Sequence, residues 1–325
     1  MSLESQFTDS DHRTRVSGAS CPVLLVASAT GGAGATTAVL TAAELASAAA
    51  RISKVLAVDF DEGKSDMRLF LRLESRAPSL LSYAAQKKAA AAIVPENLVN
   101  GYRPEKIPDI SFGVAPGADY TSTDESILST DEKVSFISTM RKHSNLILVD
   151  CGRLETTTTK DSRLDFIARM MREGAYLLIM CEPTLPSVRR VEHATSLLES
   201  QFRIGKDRIM SLVNKRPPYF TLDGNWPSVK AQLALLSVPL TPVSLDVEGI
   251  MHPGAMGKLA TGQVELTSSL ASAMLRVSGL PEFEPLAAAN SAEARASKAT
   301  VRTASASVVA QTAGSTKRSR LGLRR

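Results

Sequence analysis

The sequence predicts an α/β fold, P-loop NTPase-like, with a mostly parallel central sheet flanked by helices on both faces. Three observations predict it. Short apolar runs of strand length recur along the chain, namely CPVLLVAS, SKVLAVDF, DISFGVAP, NLILVDCG, AYLLIMCEP, RIMSLVNK and SVPLTPV. They do not alternate apolar with polar residues, which is the pattern of strands buried on two sides. Helical patterns such as DEKVSFISTMRKH and PSVRRVEHATSLLESQF lie between several of them, so the chain crosses from strand to strand through helices. Such crossovers are almost always right-handed.

Taken in order, residues 1–20 are polar and aperiodic and are expected to be disordered. From Cys21 to Ser28 an apolar run ends in a glycine cluster and continues into TTAVLTAAELASAAA, which reads as strand, loop and helix. Residues 75–109 read as an insertion covering one sheet edge, with an Ala/Lys-rich helix from Leu80 to Ala92 ahead of the Pro-broken VPENLVNGYRPEKIPD. The last helix is expected from Thr261 to Ser278. After Pro281 and Pro285 the sequence turns Ala/Ser/Thr/Arg-rich, with too little large apolar surface to offset the entropy of ordering. The expected organisation is a segment 1–20, one domain 21–280 and a disordered basic tail 281–325.

Composition narrows the function classes. A chain of 325 residues with 44% apolar content can bury a full core. It contains no apolar run of about 18 residues, the length a membrane span needs. The start, MSLESQFTDSDHR, lacks the apolar core of a signal peptide. The expectation is a cytoplasmic protein. Cys21, Cys151 and Cys181 are widely spaced and read as inert, buried thiols. His12, His143, His193 and His252 are scattered, and no Cys, His or acidic cluster suggests a metabolic substrate site. Residues 281–325 carry eight basic side chains against three acidic ones, an excess equal to the net charge of +5 of the whole chain. The domain itself is therefore formally neutral.

The strongest local feature is Ala29-Thr30-Gly31-Gly32-Ala33-Gly34-Ala35-Thr36-Thr37, set between a buried strand and a helix. Glycines at such a turn let backbone N–H groups converge on an anion, and the helix N-terminus adds its dipole. The bland alternative is a turn that merely packs strand against helix.

This loop resembles that of the ParA/MinD deviant Walker A family, which reads Lys-Gly-Gly-x-Gly-Lys-Thr-Thr. Gly31, Gly32, Gly34, Thr36 and Thr37 match it, whereas Thr30 stands at the family's signature lysine and Ala35 at its Walker lysine. The likeness extends over residues 21–280. VLAVDFDEGKSDMRLFL resembles the second strand and switch region, with Asp59 where the family orients the attacking water. LILVDCG resembles a Walker B strand ending in Asp150, which the resemblance implies supports Mg²⁺ together with Thr36. LVNKRP carries Asn214 where relatives set an asparagine against adenine, and VPLTPVSLDVEGIMHPGAMGK resembles the last strand and its loop. Each carries a plainer reading: Asp59 and Asp150 as strand-end caps, Asn214 as a turn residue.

Within the family, loops lacking the Walker lysine are similar to the CpaE/TadZ branch, which places pilus-assembly and secretion machinery, and to related septum-site proteins. DISFGVAP and CEPTLPSVRR fit that branch too. One departure is the stretch ahead of the loop, where the branch carries a receiver-like domain and this sequence gives 20 residues.

The resemblance implies ATP or ADP with Mg²⁺ as cofactor, bound by Gly31, Gly32, Ala33, Gly34, Ala35, Thr36, Thr37 and Asn214. A charge-assisted contact contributes about 1.5–3 kcal/mol, so losing two lysines weakens binding by about 3–6 kcal/mol unless another cation compensates. Lys64 and Arg68 are the nearest candidates in the sequence. Hydrolysis suffers more than binding, because phosphoryl transfer relies on positive charge aimed at the transferring oxygens. The expectation is a weak ATPase at most.

The signature lysine of the family reaches across a dimer, so Thr30 removes that contact while leaving a homodimer open. Two functional readings result: a positioning protein for pilus, secretion or septum machinery at a pole or septum, and a nucleoid-associated DNA-partition ATPase. For the tail at 295–325, nonspecific DNA, an anionic membrane surface and simple solubilisation all remain open.

Overall fold

Every residue of the run Val23–Ser28 is buried, as a strand covered on both faces requires. The computed structural model describes residues 21–49, 52, 54–61, 65–118, 128–154, 162–216, 225–244 and 259–288. The termini, Lys64 and residues 245–258 of the loop after the last strand lie outside the described residues.

The predicted strand runs are all strands: β1 Val23–Ser28, β2 Val55–Asp59, β3 Gly113–Ala115, β4 Leu146–Arg153, β5 Tyr176–Cys181, β6 Ile209–Val213 and β7 Val238–Pro239. They form one sheet in the order β3-β2-β4-β1-β5-β6-β7, and each pairing is parallel. The central strand β1 therefore runs between β4 and β5, its Leu25 opposite Val149 and Leu177.

Successive side chains of β1 point to opposite faces and join two cores. Leu24 and Val26 pack with helix α1 (Ala35–Ala48), with Met67 and Leu71 of α2 (Asp66–Leu71), and with α8 (Val264–Ser278). Leu25 and Ala27 pack with the opposite layer, which is built from α4 (Thr130–Met140), α5 (Ser162–Arg172), α6 (Leu185–Ser200) and Leu233 of α7 (Asn225–Leu236). Alanines at 38, 42, 43 and 46 are buried on α1, and their small size lets that helix sit close to both sheet and α8. The starts of α4 and α6 are fixed by side chains. Ser129 and Glu132 form a reciprocal capping box, and Thr184 accepts the Ser187 N–H ahead of a helix with Pro in its first turn.

The insertion does cover a sheet edge. Val94 exchanges two backbone hydrogen bonds with Val114 of edge strand β3, at 2.8 and 2.9 Å. The single helix expected over Leu80–Ala92 is, however, broken. Helix α3 (Leu80–Gln86) stops where Lys87 turns left-handed, its N–H on the Tyr83 carbonyl, and a 3₁₀ turn follows at Ala89–Ala92. Continuing would have carried a polar Lys-Lys step onto the sheet edge in place of Ala92 and Ile93, which are buried.

The last helix begins at Val264 rather than Thr261, after a 3₁₀ turn at Ala260–Gly262. Packed structure also continues past the expected limit at 280. Gly279 ends α8 in the left-handed conformation, and the turn Pro281–Phe283 then buries the Phe283 ring completely. Ser268 donates to the Ala287 carbonyl at 3.1 Å and ties this extension to α8. Truncation of Phe283 to alanine should therefore cost about 3–5 kcal/mol in urea unfolding. A loss below about 1 kcal/mol would contradict this docking.

Candidate functional site

The glycine cluster lies at the carboxyl end of β1, the edge of a parallel sheet where ligands gather. After β1 the chain enters α1 on one face, and after the adjacent β5 it enters α6 on the other. The two crossovers diverge and leave a crevice at the loop. Gly32 has φ +77° and Gly34 φ +97°, conformations that side chains other than glycine rarely adopt. At Gly34 a Cβ would also stand 2.7 Å from the Asn214 amide nitrogen. Over Gly31, by contrast, nothing lies within 4 Å of where a Cβ would project, so the outer face of the loop is open.

Asn214 braces the loop from beneath. Its Nδ2 donates to the Ala33 carbonyl at 2.9 Å and its Oδ1 accepts the Lys215 N–H at 2.8 Å, while its own N–H bonds to Cys181 at the end of β5. Both ends of the amide are thus engaged by the protein, in a bracing role that sequence reasoning had not foreseen.

Asp59, the last residue of β2, stands in direct register with Asp150 of β4, which runs on to Arg153, and both are almost wholly buried. Thr36, on the first turn of α1, donates its hydroxyl to Asp150 Oδ2 at 2.6 Å, and the Gly152 N–H donates to Oδ1 at 2.9 Å. Asp59 accepts the Ser65 hydroxyl at 2.5 Å and the Asp61 N–H at 3.1 Å. Burial, then repulsion from Asp150, pushes the Asp59 carboxyl up to about 8 against its hydrogen bonds from Ser65 and Asp61. Asp150 is also raised, first by burial, with the Thr36 and Gly152 hydrogen bonds pulling the other way. Burial and the neighbouring carboxylate thus both favour the neutral form of Asp59.

These residues fit a nucleotide with Mg²⁺. The loop offers an open concave backbone, and Thr36 and Asp150 place two hard oxygen donors in contact. Mg²⁺ needs no more from a protein, because one or two carboxylates plus phosphate oxygens and water complete its octahedron.

The sequence candidates for compensating cations fare differently. Arg68 is turned away from the loop: it is buried and donates to the carbonyls of Glu74 at 2.6 Å, Ala77 at 3.0 Å and Pro78 at 3.3 Å. Three carbonyls in a desolvated site hold a guanidinium fork far better than a loop exposed to water does. The other candidate, Lys64, lies outside the described residues.

Sequence reasoning missed the group beside the loop. Glu182, just past β5, receives Lys215 Nζ at 3.1 Å and the Thr30 hydroxyl at 3.4 Å, and Arg190 of α6 donates to the Ala29 carbonyl at 3.3 Å. The signal was available, since Lys215 follows Asn214 directly and Glu182 follows a strand adjacent to β1. Of the thiols, Cys151 and Cys181 are buried and Cys21 partly so. Burial, together with the Asp150 charge, pushes Cys151 well above the ordinary thiol range. Among the described residues no helix is long and apolar enough to cross a membrane.

The raised Asp59 carboxyl makes stability fall with pH. Unfolded, it ionises near 3.8, and folded near 8, so across that window the folded chain holds a proton that the unfolded chain has lost. The stabilisation is complete below the lower value and disappears as pH rises through the upper one. Asp59→Asn mimics the neutral acid and should remove at least half of the decline in Tm between pH 5 and pH 8, a difference of about 4 °C or more. An unchanged pH profile in the variant would contradict the assignment.

Comparison with known proteins agrees with this geometry. No model of a protein family matches the sequence. The septum site-determining protein MinD of Synechocystis is 26% identical over 230 residues, which span 70% of this chain and 77% of that protein. A ParA family ATPase from Chlorobium tepidum superposes with a TM-score of 0.55 at 18% identity, covering 78% of this chain and 99% of that one. The septum site-determining protein MinD of Pyrococcus horikoshii, solved with Mg-ADP, superposes with a TM-score of 0.52 at 16% identity, covering 79% and 94%. The fold is that of the ParA/MinD P-loop proteins.

Proposed function

We propose that this chain is a nucleotide-dependent positioning protein of the ParA/MinD type whose degenerate loop binds Mg²⁺-nucleotide but hydrolyses it slowly or not at all. The observation that carries the reading is the Thr36–Asp150 contact at 2.6 Å under an open glycine loop, a cation-and-phosphate cradle that keeps its shape without either family lysine. The Mg-ADP of the similar Pyrococcus protein supports the choice of ligand. When bound, Mg²⁺ supplies charge neutralisation of the phosphates, which the loop has lost in Thr30 and Ala35.

The chain's own parts divide the work. Gly31, Gly32, Ala33, Gly34 and Ala35 wrap the phosphates with backbone N–H groups at the start of α1, followed by Thr36 and Thr37. Thr36 and Asp150 hold the cation. Asp59 positions water, which it does only after giving up the proton that burial favours. Asn214 meets the adenine edge while bracing Ala33. In this reading slow turnover follows from chemistry, because neither Thr30 nor Ala35 supplies the loop ammonium that aims positive charge at the transferring oxygens.

Similarity to a MinD sequence supports septum-site placement as the biological setting, with pilus or secretion machinery of the CpaE/TadZ type as the neighbouring case. A homodimer is part of the proposal. The alternative is DNA partition, favoured by the basic stretch at 295–325, which would neutralise nucleic-acid phosphates without reading bases.

Two outcomes test the reading. Phosphate release from ATP should stay at the no-enzyme background; turnover typical of a ParA protein and abolished by Asp59→Ala would refute the degenerate-loop assignment. Removal of residues 289–325 should leave nucleotide binding unchanged, and salt-sensitive DNA binding lost with them would favour the partition alternative.

A further inference from the structure

Resting on the nucleotide reading above, we propose that Lys215 is the phosphate-facing cation of this loop and that Glu182 is its counter-ion at rest, from which an incoming anion draws it. Its ammonium lies 3.6 Å from the position a Cβ would occupy on Gly32, directly over the phosphate loop. The lysine reaches this place from a different strand, β6, and from a part of the sequence remote from the loop.

The backbone is built to deliver it. Asn214 is pinned on one side to Cys181 at the end of β5 and on the other to Ala33 in the loop. Lys215 itself adopts φ +58°, a left-handed conformation uncommon for a side chain of this kind. The ammonium donates to Glu182 Oε1 at 3.1 Å, while Oε2 of the same carboxylate receives the Thr30 hydroxyl at 3.4 Å. The residue standing at the family's signature lysine is therefore stitched, through Glu182, to a lysine supplied from elsewhere. Both members of the ion pair are partly exposed, 34% for Lys215 and 26% for Glu182, so an anion can reach them. An ammonium has three donors, and one bond to Glu182 leaves others to meet an anion over Gly32.

Charge makes the same demand. Two carboxylates touch the loop and the first turn of α1, Glu182 through Thr30 and Asp150 through Thr36. Of the cations, Arg68 is committed to carbonyls elsewhere and Arg190 sits on the Ala29 carbonyl at the base of the loop. Lys215 is the described cation over its open face. The ligand class is a polyphosphate, which a nucleotide or inorganic pyrophosphate presents alike.

The test is calorimetric titration of the full chain with Mg-ADP and, separately, with Mg-pyrophosphate. Lys215→Gln should weaken both at least tenfold, Lys215→Arg should stay within about threefold of wild type, and Glu182→Gln should bind as tightly as wild type or up to fivefold tighter because a competing carboxylate is gone. If the ion pair merely props up the loop, Lys215→Gln and Glu182→Gln weaken binding equally, and that overturns the proposal. Weakening for ADP but not pyrophosphate also overturns it, since the lysine would then act at the base or ribose. Wild-type binding that Lys215→Gln leaves intact sinks the lysine assignment while sparing the nucleotide reading. Wild type that binds only pyrophosphate, with the lysine dependence retained, upholds the assignment and removes the nucleotide. Wild type that binds neither ligand overturns both. Thermal unfolding of each variant confirms that the folded chain is being compared.

Discussion

Two carboxylates stand side by side in register on adjacent parallel strands, Asp59 on β2 and Asp150 on β4, and the sheet around them excludes water. Such a pair is costly to ionise, because burial and mutual repulsion both favour the neutral form. The structure compensates with donors aimed at each oxygen: Thr36 and the Gly152 N–H at Asp150, Ser65 and the Asp61 N–H at Asp59. Because the Thr36 hydroxyl belongs to the first turn of α1, the same contact locks the glycine loop to β4. Loop geometry, helix placement and the acidic floor of the crevice are therefore one arrangement. Gly152 shows how tightly it is drawn, since a Cβ there would come within 1.9 Å of Asp61 Oδ1.

That acidic floor sets the electrostatic problem of the site. A crevice that ends in buried carboxylates binds phosphates only through a cation, and in the related loops two lysines contribute to that charge. Here Thr30 and Ala35 stand in their places. The backbone still offers a cradle, and Mg²⁺ held by Thr36 and Asp150 would neutralise part of the guest. The remaining charge has to come from another element, and β6 brings Lys215 to the spot on a backbone fixed by Asn214. In the proposed reading binding and hydrolysis then separate: the Lys215 ammonium over the loop would assist retention, while the loop lysine charge that accelerates phosphoryl transfer is replaced at Thr30 and Ala35.

The framework was legible in the sequence for a physical reason. Strands buried on both faces must be apolar throughout, so the runs beginning at Val23, Val55, Leu146, Tyr176 and Ile209 stood out without any knowledge of their partners. Gly32 and Gly34 announced a turn with positive φ, and the lone aspartate in the apolar run LILVDCG pointed to Asp150, though the strand it was expected to end runs on to Arg153. What remained hidden depended on long-range packing. Arg68 looked available next to the switch region, but its guanidinium fills a pocket of carbonyls formed by residues 74–78, which nothing local in the sequence encodes. Lys215 and Glu182 meet only because β5 and β6 are neighbours, and Phe283 is buried because the chain folds back on α8 between Pro281 and Pro285, two prolines that read as the start of a tail.

The fold is that of the ParA/MinD proteins, and in the proposed reading its loop keeps the phosphate cradle while the charge comes from Lys215. The central claim is that the cradle still takes a nucleotide through Mg²⁺ and the Thr36–Asp150 donor pair. It is tested most directly by calorimetric titration of ADP into the wild-type chain with Mg²⁺ and again with the cation chelated. Saturable binding at one site per chain that is lost on chelation is the expected result. Binding of equal strength without the cation, or no binding in either condition, would contradict it.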